Sequence, residues 1–100
     1  MNMDERLAET ARASSWIVQV TVHDKTIDVP VGKGTQCIRW LANVAISCWD
    51  EEQYEGWRQL GIPTRVNRLP AGEKLSLDAS IRDFLKPGDH VQVYTSLHSN

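Results

Sequence analysis

A chain of 100 residues, 41% hydrophobic and 24% charged, has room for one domain around one core. Its formal net charge of −2 argues against a protein held to nucleic acid by phosphate neutralisation, which needs a basic excess. The apolar runs stop well short of the roughly 20 residues that span a bilayer, and the N-terminus lacks the apolar centre of a signal peptide. A cytoplasmic chain with no membrane contact is therefore expected.

Residues 1–15 are polar and weakly periodic and read as a flexible arm, or a short helix lying on the surface, outside the fold. The domain is expected over residues 16–97, with 98–100 as a tail. From Trp16 the pattern changes: Trp16, Val18, Val20 and Val22 alternate with Ile17, Gln19 and Thr21, as a half-buried strand requires. His23-Asp24-Lys25 supplies a turn. Ile27, Val29 and Val31 then share one face of a second strand, with Thr26 and Asp28 on the other.

Gly32-Lys33-Gly34 breaks the sheet pattern, and Thr35 is a candidate N-cap for a helix over residues 36–49. At 100° per residue, Gln36, Arg39, Asn43 and Ser47 form a polar stripe of only about 80°, leaving an apolar arc wider than one sheet covers. Cys37 and Cys48, eleven residues apart, would be separated by about 16 Å on this helix, too far for a disulfide or a shared metal. They read as core thiols. Asp50-Glu51-Glu52-Gln53 has the form of a second helix start, with Asp50 as cap and Gln53 in the capping-box position. Tyr54, Trp57 and Leu60 follow at every third residue as internal cover for the arc.

Gly61-Ile62-Pro63 ends that segment, and residues 64–68 and 74–77 are candidate third and fourth strands joined through Leu69-Pro70-Ala71-Gly72. The stretch from Leu77 to Thr95 reads as a turn, a short helix and a last strand. Ser80 stands in an N-cap position with Asp83 three residues on, and Ile81, Phe84 and Leu85 fall on one side. Lys86-Pro87-Gly88-Asp89 stops the helix before Val91-Gln92-Val93-Tyr94. The expected core is Val18, Val20, Ile27, Val29, Ile38, Leu41, Ala45, Phe84, Val91 and Val93.

Hairpin, helix, two short strands, short helical turn and last strand is the element order of ubiquitin, and the chain from Trp16 to Thr95 resembles the ubiquitin-like (β-grasp) superfamily. Ala71-Gly72-Glu73-Lys74-Leu75 looks like the turn and strand after ubiquitin's third strand. The helix with its acidic, aromatic extension is loosely similar to ubiquitin-like domains at the front of scaffold and cytoskeletal proteins. The resemblance implies an α+β fold: a mixed sheet of four to five strands packed on one main helix, with a short helical extension. It also implies a binding patch on the exposed sheet face at Leu69, Gln92 and Tyr94, more polar than ubiquitin's. Ubiquitin-type modifiers end in Gly-Gly, whereas this chain ends Leu97-His98-Ser99-Asn100, which argues against a conjugated modifier.

The residues point to no chemistry. His23 and His90 fall in expected turns and His98 in the tail, with no cysteine or carboxylate at ligand spacing. Lys33 between two glycines lacks the full phosphate-loop pattern, and no serine or cysteine nucleophile has a recognisable base. No metal, cofactor or catalytic group is expected. Trp16 and Trp49 read as structural, whereas Trp40 with Val44 on the helix, and Trp57 in the extension, are candidate partner anchors. Asp50, Glu51, Glu52 and Glu55 cluster at the extension, and Arg65, Arg68 and Lys74 gather on the third and fourth strands. The expected function is a non-catalytic protein–protein interaction domain, the N-terminal ubiquitin-like module of a larger scaffold or cytoskeletal protein, with cytoskeletal association as one expected location. Two alternatives are a self-associating module joined head to tail through opposite charges, and a conjugated modifier or accessory enzyme subunit.

Overall fold

The computed structural model describes residues 16–97; the expected arm at residues 1–15 and the tail at 98–100, His98 included, lie outside the described residues. The strands are β1 (Ile17–Val22), β2 (Lys25–Pro30), β3 (Pro63–Leu69), β4 (Glu73–Leu75) and β5 (His90–Thr95). The helices are α1 (Ile38–Trp49), α2 (Trp57–Leu60) and α3 (Ile81–Phe84). The architecture is α+β, a five-strand mixed sheet in the order β2-β1-β5-β3-β4 with one main helix. β1 pairs parallel with β5, and the other neighbours are antiparallel.

Alternation decides which face of the sheet is dry. Val18, Val20 and Val22 of β1, Val29 of β2, Val66 of β3, Leu75 of β4 and Val91 and Val93 of β5 are buried together with Ile38, Leu41, Ala42, Ala45 and Ile46 of α1. Residues of the opposite parity are exposed or half-buried throughout, so among the described residues no element packs on the other face of the sheet.

Helix α1 starts two residues later than the sequence pattern predicts, and Thr35 does not cap it. Cys37 is the N-cap residue, in extended backbone and without a side-chain cap bond. The orphan donors of the first turn are satisfied by a distant segment: Ile38 N–H donates to the Ala79 carbonyl (2.9 Å) and Arg39 N–H to the Leu77 carbonyl (2.8 Å). The Gln36 carbonyl accepts from Ile81 N–H at 2.9 Å, and Cys37 bridges Ser80. Cys37 and Cys48 are free thiols, half-buried rather than within the core.

The expected second helix from Asp50 is also replaced. The Asp50 carboxylate accepts N–H groups of Glu52 (3.1 Å), Gln53 (3.3 Å) and Glu55 (3.3 Å), winding residues 50–55 into a loop in which Tyr54 takes a left-handed φ of 57°. Only the four residues of α2 are helical, so the spacing of Tyr54, Trp57 and Leu60 is not one helix face. Leu60 is buried, whereas Tyr54 is 63% and Trp57 53% exposed. Gly56 lets this loop lie on α1, for a Cβ there would stand against the Ile46 carbonyl, 3.0 Å from its carbon.

Phe84 is a second correction to the expected core. A one-turn helix buries Ile81 and, four residues on, Leu85; Phe84 points elsewhere and is 45% exposed. Ile27 is half-buried at the rim of the core. His90 is the first residue of β5 rather than a turn residue.

Candidate functional site

The open face of the sheet brings residues from all five strands into one plane. The register sets Arg65 beside Tyr94, Asn67 beside Gln92 and Leu69 beside His90 across β3 and β5, and Asn67 beside Lys74 across β3 and β4. On the other flank Gln19 and Thr21 of β1 stand next to His90 and Gln92, with Asp28 and Thr26 of β2 beyond. The Arg65 guanidinium lies 4.3 Å from the centre of the Tyr94 ring, a cation–π contact that holds a flexible cation over a rigid aromatic. His90 Nε2 and Thr21 Oγ1 share a hydrogen bond of 2.6 Å, and Thr21 Oγ1 another of 3.0 Å with Thr26 Oγ1. The Asn67 side-chain carbonyl oxygen is buried with no hydrogen-bond partner.

The structure thus brings Arg65, Leu69, Gln92 and Tyr94 together, with Lys74 of the expected basic cluster beside them, and joins to them Asn67 and His90, which the sequence reading did not place there. Strand parity was the available signal; the pairing register was not available. Arg68 leaves the group. It lies on the covered side of the sheet opposite Val91 and Glu73, where its guanidinium donates to both Glu73 carboxylate oxygens (2.9 and 3.0 Å) and to the Phe84 carbonyl (2.7 Å). The expected basic group of Arg65, Arg68 and Lys74 is therefore reduced on the open face to Arg65 and Lys74.

Trp40 and Val44, one turn apart on α1, are half-buried and pack against the core. Trp57 is exposed, with the Arg58 guanidinium 5.8 Å from its ring centre. Ile62 and Leu97 are also exposed, and residues 60–62 pair with 96–97 through Leu97 N–H to the Leu60 carbonyl and Ser96 N–H to the Ile62 carbonyl, both 2.9 Å.

The acidic turn sits at the other end of the strand order, beside β2. Lys25 Nζ donates to the Trp49 carbonyl (2.8 Å), lies 3.6 Å from Glu51 and 5.0 Å from the Trp49 ring centre. The Trp49 indole N–H donates to Asp24 at 3.0 Å, and this bond is the main reason the Asp24 carboxyl is held below its ordinary value. At Asp50 partial desolvation opposes ionisation, but the three backbone N–H bonds outweigh it and lower that pKa too. Glu55 pairs with Arg58 at 3.0 Å. Lys25, Trp49, Asp50, Glu51, Glu52 and Gln59 line a shallow polar cleft of about 200 Å³.

Among the described residues no three His, Cys, Asp or Glu side chains form a group that would hold a metal ion, and no helix is long and apolar enough to cross a membrane. No protein-family model matches the chain, and comparison with curated proteins finds no significant match.

Proposed function

We propose that this chain is a non-catalytic protein-interaction domain of the ubiquitin-like β-grasp type, a module of a larger scaffold or cytoskeletal protein, and that it binds through the open face of its sheet. The β-grasp reading is supported by the element order and by the central parallel pair β1 and β5 flanked by antiparallel neighbours. One observation carries the binding reading. A continuous sheet face that no element among the described residues covers presents a preorganised Arg65–Tyr94 pair, the amides of Asn67 and Gln92, and Lys74. An aromatic and an arginine held together on a rigid scaffold have the composition of a binding hot spot, since little side-chain freedom remains to be lost on association.

Affinity capture with the full chain tests this reading. Combined Arg65→Glu and Tyr94→Ala should weaken retention of a specifically captured protein by about tenfold or more, while Trp57→Ala leaves it unchanged. The reverse pattern moves the site to the Trp57 end of the molecule. Failure of the folded chain to retain any protein specifically overturns the reading.

A further inference from the structure

We infer that the occupant of the open sheet face is the acidic 50–55 turn of a second copy of this chain, so that copies join head to tail; this rests on the reading of that face as a protein-binding surface. Among the described residues, Lys25, Arg39, Arg58 and Arg68 each form an ion pair with a carboxylate, whereas Lys33, Arg65, Lys74, Arg82 and Lys86 do not, and of these five Arg65 and Lys74 stand on the open sheet face. They project from neighbouring strands on the same face, with the Asn67 and Gln92 amides beside them as further donors to a carboxylate. At the opposite end, among the described residues, Asp24, Asp50, Glu51, Glu52 and Glu55 gather around two cations, Lys25 and Arg58, leaving an excess of negative charge. Charge complementarity is thus present on the molecule but divided between two places.

Their placement sets the kind of assembly. Lys25 ties the acidic turn to the outermost strand at one edge, on the helix side of the sheet. Lys74 and Arg65 lie on the last two strands at the other edge, on the open side. One chain cannot bring these two patches together, and a two-fold contact through either patch would set like charges against each other. The remaining arrangement is heterologous: each copy offers one basic and one acidic surface, so the contact repeats from copy to copy, into a ring or an open chain according to the rotation between neighbours.

Sedimentation velocity on the full chain tests this at about 0.01 M and about 1 M salt, where the Debye length is about 30 Å and about 3 Å. The mean mass should rise with protein concentration at low salt and return to that of a monomer at high salt. Arg65→Glu with Lys74→Glu, and separately Glu51→Lys with Glu52→Lys, should each weaken association by about tenfold or more. Thermal melts confirm that each variant is folded. Mixing the two variants should restore association, because the intact acidic turn of one meets the intact basic face of the other. A monomer at millimolar concentration in low salt overturns the proposal, as does association that neither variant weakens. If the wild-type chain is monomeric yet still captures another protein through Arg65 and Tyr94, self-assembly falls and the interaction-domain reading stands.

Discussion

Two arginines three residues apart illustrate how position decides what a side chain does. Arg68 donates to Glu73 and to the Phe84 carbonyl, tying β4 and α3 to the end of β3. Arg65, on the other side, touches Tyr94 and solvent. Arg68→Ala should lower the unfolding free energy by about 1–2 kcal/mol, and Arg65→Ala by less than about 0.5 kcal/mol, measured by chemical denaturation. Equal effects would mean that the two residues do not occupy opposite faces. The same contrast separates Leu41 from Phe84. Leu41 is fully buried, so Leu41→Ala should cost about 2–5 kcal/mol, whereas Phe84→Ala, at a site 45% exposed, should cost markedly less.

At the scale of elements, the loop after α1 depends on a charged group. Asp50 and Asp24 both have pKa values below the ordinary 3.8, so each favours the folded state while ionised. That contribution is fully present above the unfolded value and is lost as pH falls through the lower folded one. Melting temperature should therefore fall on acidification below about pH 4, and Asp50→Asn should flatten that part of the profile. A profile identical to wild type would remove Asp50 from the account. The loop's exposed aromatic gives a second test: because Trp57 is 53% exposed, iodide should quench part of the tryptophan emission, and Trp57→Phe should abolish most of that quenchable fraction. Gly56→Ala should destabilise the same element by about 1–3 kcal/mol, since its Cβ meets the backbone of α1.

Across the whole molecule, stability should be graded from the middle of the sheet outward. β1 and β5 are flanked by strands on both sides, while β2 and β4 are edges. Amide exchange should be slowest where Gln19 N–H donates across the central pair to the Asp89 carbonyl at 2.9 Å, and much faster at Thr26 and Asp28 on the β2 edge. Comparable protection at both positions would indicate that something covers the edge. The edge is also defended against indiscriminate pairing by Asp28 and by Pro30, which has no N–H to offer.

Much of this architecture was legible in the chain because local periodicity reports burial. Val18, Val20 and Val22 alternate with polar residues, and Ile38, Leu41 and Ala45 fall on one side of a helix, since a face turned to a core excludes charge wherever the core lies. Strand parity also placed Arg65 and Arg68 on opposite faces, a consequence that grouping them as one basic patch overlooked. What the tertiary structure decided were the places where a local preference competes with a distant partner. Thr35 and Gln36 had the form of a helix start, yet the carbonyls of Leu77 and Ala79 cap α1, and no local pattern encodes a partner about 40 residues away. Asp50 had the form of a helix cap, but three backbone donors wound the chain into a loop around it. The open face itself required the register of β5 between β1 and β3, because only pairing brings Tyr94 to Arg65 and Gln92 to Asn67.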